Sequence, residues 1–319
     1  MAGEAVLPAK PSGSRLLAAA FLVGGVFVFS MQDVILKWVS GTYPLTEAVA
    51  IRSSTAIVIL LIAIARHEGL HKILSRRARA LALRGSILML AYGTYYLAFP
   101  AMKLAEVVTL FFMAPIFITA LAHPFLGERV GLKAWCAVLV GFCGVVVTYR
   151  PGLGLFDWAS LLPVAAAVTY GVSALMTRRL GVSESAAVMG LYQNVMFLFW
   201  VLVLAVIFSL GSFDQTGLHP SLAFLLRPWS FENWADIALL AACGPISAVG
   251  TVLLAQAYRM TEANFVATFE YTGLIWATSW GFLLWGEIPD LYMVAGAALI
   301  VGAGLYMLFS GRRAGAEAG

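Results

Sequence analysis

The chain has 319 residues and a formal net charge of +4; 61% of its residues are hydrophobic and only 11% are charged. Soluble domains carry about a quarter charged residues, and a mean hydropathy of +0.91 leaves too little polar surface to cover a soluble core of this size. A soluble domain is therefore excluded: the bilayer must be the solvent for most side chains.

The basic excess does not point to a nucleic-acid partner, because the lysines and arginines fall in short segments between apolar runs, where they set orientation in a membrane. Cys136, Cys143 and Cys243 form neither a disulfide framework nor a metal-ligand spacing. They read as small core residues.

A polar tail over residues 1–15 precedes the first apolar run, which is too long for a signal-peptide core and reads as a retained membrane helix. A span needs roughly 20 apolar residues. Runs of that order lie at 16–38, 44–65, 81–101, 104–125, 131–149, 156–178, 186–210, 235–257, 263–285 and 289–309, which predicts an all-α membrane protein of ten helices. With the N-terminus inside, the cytoplasmic segments hold Lys10, Arg15, Arg66, Lys72, Arg76, Arg77, Arg79, Arg84, Arg129, Lys133, Arg178, Arg179, Arg259, Arg312 and Arg313. The outer ones hold Lys37, Lys103, Arg150 and Arg227. This bias places both termini in the cytoplasm of a bacterial-type inner (plasma) membrane.

Polar side chains at membrane depth are costly and each needs a reason. In helix one, Asp33 and Lys37 are four apart on one face, beside Gln32; in helix two, Glu47 and Arg52 lie in the outer half. These four charges read as an ion-pair cluster bracing the outer helix ends, or as a gate. At the end of helix two, His67-Glu68-Gly69-Leu70-His71 matches the zinc-protease pattern H-E-x-x-H. A glycine between the ligands and the flanking Arg66 and Lys72 speak against a metal site there.

Tyr92, Tyr95, Tyr96 and Phe99 share a face of helix three, an apolar wall with hydrogen-bonding tips suited to a substrate cavity. Tyr170 in helix six, Tyr192, Gln193 and Asn194 in helix seven, and Tyr271 and Trp276 in helix nine extend that set. Pro115, Pro163 and Pro245 are expected to interrupt helices four, six and eight, freeing backbone groups that transporters use to line cavities. Glu270 is seven residues into run nine, roughly 10 Å along a helix, with no base within a turn. It suits an ammonium ligand or a proton carrier; its structural alternative is a hydrogen bond to a neighbouring helix.

The chain also repeats itself. Ala101–Glu106 (AMKLAE) returns as Ala257–Glu262 (AYRMTE), and Leu126-Gly127-Glu128 as Trp285-Gly286-Glu287, each followed by a glycine-rich helix. The unit spans five helices. Five is odd, so the second copy must run the opposite way through the membrane. That predicts an inverted repeat, 16–150 and 151–310, with a cytoplasmic tail at 311–319. Repeats of this kind are typical of secondary transporters with a midplane site between the halves.

On these residues the chain resembles the drug/metabolite transporter superfamily, and within it the EamA-type ten-helix transporters. The likeness rests on Ala101–Glu106, Pro115, Leu126-Gly127-Glu128-Arg129 and Gly141–Val145; Phe269-Glu270-Tyr271 and Trp285–Pro289 look like a subgroup pattern. The resemblance implies a basket of helices around a central cavity and a secondary carrier without a bound cofactor. The expected partners are a small-molecule substrate, the lipid bilayer and, as a candidate coupling ion, the proton; no nucleic-acid partner is implied. No phosphate-binding loop is present to couple ATP. The expected function is transport of small metabolites by alternating access, foremost export of amino acids, aromatic ones included. The alternative is uptake of a vitamin or nucleotide-like metabolite such as riboflavin or S-adenosylmethionine.

Overall fold

The computed structural model describes residues 12–126, 132–149, 157–181, 183–209, 217–231, 233–261, 266 and 268–316. Among these the protein is all-helical, with no strand. The helices are α1 (Ser12–Val39), α2 (Leu45–His67), α3 (Ala78–Leu97), α4 (Leu104–Phe111), α5 (Ala114–Leu126) and α6 (Leu132–Tyr149), then α7 (Leu161–Leu180), α8 (Ala186–Ser209), α9 (Pro220–Leu226), α10 (Trp234–Met260), α11 (Thr272–Trp285) and α12 (Leu291–Ala316). Segments Leu16–Val39, Leu45–His67, Trp158–Leu180, Ala186–Ser209 and Trp234–Met260 are each long and apolar enough to cross a membrane. Leu104–Ile118 and Leu291–Ala303 are shorter apolar stretches.

Among the described residues, the fourth and ninth apolar runs are broken near the site. The fourth breaks at Phe112–Met113, and Pro115 is the second residue of α5, where its missing N–H is one that a helix start leaves unbonded anyway. The ninth enters through a 3-10 turn, Thr268–Tyr271, before α11. Pro163 also corrects the expectation of an interruption: it lies in the first turn of α7. Pro245 alone of the three sits inside a continuous helix, α10.

Lipid tails are as apolar as leucine, so helix association here must come from close packing and interhelical hydrogen bonds. The extensive pairings are α1 with α10, α3 with α7, α2 with α8, α6 with α12, and α2 with α10. Small residues make them possible. A Cβ on Gly244 of α10 would sit 1.8 Å from Thr55 Oγ1 and 2.8 Å from the Ala56 backbone nitrogen of α2. Beside it, Thr55 Oγ1 donates to the Ala241 carbonyl across the same contact at 3.0 Å. The outward faces stay apolar: Ile207, Ile275, Phe282 and Leu283 are exposed, as lipid contact requires. Trp38, Trp158 and Trp234 are exposed at helix ends, where indoles favour the membrane interface.

That outward face overturns the core reading of two cysteines. Cys136 and Cys143 on α6 are exposed, and only Cys243 on α10 is buried. In a bilayer a weakly polar thiol is as acceptable on the outside of the bundle as within it.

The segment before α10 carries an unexpected short helix, α9. Its N-terminal His219 donates from Nε2 to Asp157 Oδ2 at 3.0 Å and accepts the Ser221 N–H at Nδ1. Burial pushes the Asp157 carboxyl up, but the Ala159 N–H and the His219 hydrogen bond hold the group below its ordinary value. At the other end of α9, Arg227 donates to the carbonyls of Ser40 and Tyr43, tying α9 to the turn between α1 and α2.

Candidate functional site

The two broken helices face each other. Phe112, at the break after α4, packs its ring 5.3 Å from Tyr271, in the turn before α11. Between these breaks and α1, α3 and α7 lies a cavity of about 80 Å³, lined by Val26, Phe29, Ser30, Asp33, Tyr92, Tyr95, Leu104, Val108, Phe111, Phe112, Tyr170, Leu254, Glu270, Gly273 and Ala277. It is mostly aromatic and aliphatic, with two carboxyl groups.

Glu270 is buried at 5% exposure, in the 3-10 turn and not within an α-helix as expected. Its Oε1 accepts the hydroxyl of Tyr170 at 2.8 Å and that of Tyr258. Among the described residues its Oε2 has no partner. Neutral donors on one oxygen leave the other free for a cation or a proton. Asp33 faces the same cavity from α1 and accepts the Tyr95 hydroxyl at 3.1 Å.

The four-charge cluster read from the sequence does not assemble. Lys37 pairs with Glu287 at 2.5 Å, not with Asp33, and also donates to the Met102 carbonyl at 3.3 Å. Glu47 accepts the Ser230 N–H at 2.9 Å. Arg52, 1% exposed, donates to the Tyr96 hydroxyl at 3.2 Å and lies 5.2 Å from the Phe197 ring. Positions four apart share a helix face, but here cross-helix partners are nearer than the next turn.

Of the expected substrate residues, Tyr92, Tyr95, Tyr170 and Glu270 line the cavity. Gln32 and Tyr96 bond to each other behind it at 2.7 Å, and Phe99 packs on both Tyr95 and Tyr96. Trp276 packs edge-to-face against Phe27, ring centroids 4.7 Å apart, and does not line the cavity. Pro115 and Tyr271 flank the breaks without lining the cavity. Phe29, Phe111 and Phe112 were missed; the position of Phe111 and Phe112 just after the repeat motif was a usable signal, whereas nothing in the sequence set Phe29 apart. Arg84, counted among the cytoplasmic loop charges, is instead buried within α3 at 5% exposure.

The H-E-x-x-H run does not form a ligand pair on one helix. Alpha-helical structure ends at His67, Gly69 turns the chain at φ 85°, and His71 falls in a separate 3-10 helix, Leu70–Ile73. Gly127, Glu128, Arg129 and Glu262, which carry part of the repeat, lie outside the described residues.

Residues 16–150 match the EamA-like transporter family. The pseudopaline exporter of Pseudomonas aeruginosa is 28% identical over 86% of this chain and 90% of its own length. The riboflavin transporter of Rhizobium johnstonii is 27% identical over 95% and 94%. The S-adenosylmethionine uptake transporter of Rickettsia felis is 27% identical over 89% and 90%. A solved crystal structure superposes with a TM-score of 0.61 at 18% identity, covering 95% of this chain and 99% of its own, a likeness of fold alone. The resemblance to EamA-type drug/metabolite transporters therefore holds, and the protein is a multi-pass inner-membrane transporter.

Proposed function

We propose that the protein is a secondary carrier of amino-acid-like metabolites, exported from the cytoplasm by alternating access between two inverted five-helix halves. The carrying observation is the free Oε2 of buried Glu270 at the central cavity. An unsatisfied carboxyl at membrane depth is expensive, and a substrate ammonium or a coupling proton would relieve it.

The packing supports the inverted halves. A pseudo-two-fold exchanging α1 with α7 and α3 with α10 turns the α1–α10 pair into the α7–α3 pair, and both pairs are extensive. Lys37, in the last turn of α1, donates to Met102; Arg178, in the last turn of α7, donates to the Thr261 carbonyl. Each base thus reaches the segment that follows the third helix of its own half, Lys37 at the outer face and Arg178 at the inner face on this reading. On this reading the ten-span topology has both termini inside, and the Lys37–Glu287 pair closes the outer face.

Alternating access also accounts for the cavity volume. About 80 Å³ is smaller than the roughly 150 Å³ that admits a benzene ring. This conformation is contracted, and a substrate enters only as one side opens.

A second reading, uptake of a vitamin or nucleotide-like metabolite, draws on the aromatic lining and on what two relatives are named for. The two are separated by flux into and out of proteoliposomes, using neutral, aromatic, basic and acidic amino acids beside riboflavin and S-adenosylmethionine, with and without a proton gradient. Saturable amino-acid flux supports the first reading. Silence for every amino acid with flux of riboflavin or S-adenosylmethionine overturns it in favour of the second.

A further inference from the structure

A second cavity, of about 30 Å³, adjoins the central one and shares the side chains of Phe29, Tyr92, Tyr170 and Leu254 with it. Its character is different. Arg84, Ser173, Thr177, Gln193, Thr251 and Tyr258 contribute to its wall, so polar groups replace most of the phenylalanines.

Arg84 is the charge of this cavity. Its Nε donates to Thr177 Oγ1 at 2.6 Å and its Nη1 to the Met189 carbonyl at 3.4 Å. Both partners are neutral, and among the described residues no carboxylate lies within ion-pair distance. Beside it, the Ser173 hydroxyl is 1% exposed and has no hydrogen-bond partner. Gln193 Nε2 reaches Thr251 Oγ1 only at 3.4 Å. A buried guanidinium without a counter-charge is strongly unfavourable, and an idle donor beside it adds to the cost. An anion accepting from both would satisfy them together. The volume fits such a group: one water needs about 10–15 Å³ on this measure, so the space holds about two, the size of a carboxylate.

We propose that Arg84 and Ser173 form the subsite for the carboxylate of the transported metabolite, beside the cavity that Glu270 lines. Charges of opposite sign in two adjoining cavities define a zwitterionic substrate. This inference rests on the reading of Glu270 as the ammonium ligand.

The test uses three compounds that share one side chain: leucine, isopentylamine, which lacks the carboxylate, and 4-methylpentanoate, which lacks the amine. Binding of each is measured by calorimetry to the purified protein and to the variants Arg84→Gln, Ser173→Ala and Glu270→Gln. Loss of a charged hydrogen bond at a buried site corresponds to about a tenfold loss of affinity. Arg84→Gln should weaken leucine and 4-methylpentanoate about tenfold and leave isopentylamine unchanged. Ser173→Ala should do the same about threefold; it removes one unpartnered hydroxyl and decides the matter if Arg84→Gln does not fold. The proposal is overturned if the wild-type protein binds isopentylamine as tightly as leucine, if it binds none of the three, or if the two variants weaken all three compounds alike. Failure of the Glu270 reading looks different: Glu270→Gln would leave isopentylamine binding untouched while 4-methylpentanoate still depended on Arg84.

Discussion

Lys37 Nζ lies 2.5 Å from Glu287 Oε1, joining the end of α1 to the segment after α11 across 250 positions of sequence. The geometry has identifiable causes. Gly286 adopts φ 64° and ends α11 in the left-handed region, which glycine alone adopts without penalty. That turn brings Glu287 back so that its Oε2 also accepts the Leu104 N–H at 3.2 Å. The lysine further sits 5.0 Å from the Trp285 ring.

Both partners are largely buried, so removing one leaves the other stranded. Such half-removals cost about 3–5 kcal/mol, more than replacing the pair with apolar groups. Lys37→Met or Glu287→Leu alone should lower the melting temperature in detergent more than the double variant does. If the pair is the outer gate, the double variant should also change transport rate. Additive losses in the two single variants would show that the pair is not coupled.

Glu270→Gln keeps an acceptor for Tyr170 and Tyr258 while removing the charge. The protein should fold with near-normal thermal stability, and flux should fall at least tenfold or lose its response to a proton gradient. Tyr170→Phe should be milder, about fivefold, since it deletes a single hydrogen bond worth about 1 kcal/mol. Normal flux with normal pH dependence in Glu270→Gln would sink the assignment.

The Asp157–His219 contact predicts a pH effect. The folded protein holds the Asp157 carboxyl below its ordinary value, so the unfolded chain takes up a proton first. The contribution is therefore complete above the ordinary carboxylate value of 3.8 and fades as pH falls through the lower folded value. Thermal melts carried from about pH 6 down to about pH 2, which spans the ordinary carboxylate value and the region below it, should show a steeper acid loss in the wild type than in Asp157→Asn. Identical acid limbs would refute the linkage.

Gly244→Ala should be poorly tolerated. The added Cβ would press on Thr55 and on the Ala56 backbone, and the backbone cannot swing aside. Overpacking of this kind costs about 1–3 kcal/mol. A fall in melting temperature is expected, and Thr55→Ser with Gly244→Ala should recover little because serine keeps the Oγ and Cβ that the new Cβ would meet and the Ala56 contact remains.

Topology can be tested directly. In a variant lacking the three native cysteines, a cysteine at Arg76 should resist an impermeant thiol reagent in intact cells and react once the membrane is opened. Ready labelling in intact cells would invert the proposed orientation.

The membrane class, the apolar runs and the principal polar residues were legible in the sequence. Lipid as solvent leaves an unmistakable compositional record, and an ionisable residue such as Glu270 stands out against it. The resemblance drawn from Ala101–Glu106 and its echo was readable for the same reason: short polar motifs between apolar helices have few ways to arise.

Partnership was a different matter. Asp33 and Lys37 are neighbours on α1, yet one turns to Tyr95 and the other to Glu287. Arg84 reads as a cytoplasmic charge because it closely follows Arg76, Arg77 and Arg79, yet α3 begins at Ala78 and carries it inward. The break at Phe112–Met113 precedes the proline that was expected to cause it.

The sequence by itself determined that this chain lives in a bilayer, roughly where its apolar runs lie, and which rare charges they contain, because the cost of a polar group in lipid acts residue by residue. Only the tertiary structure decided which charges meet and which face the cavity. Those outcomes depend on how each helix is rotated against its neighbours, and close packing through residues such as Gly244 and Thr55 sets that rotation.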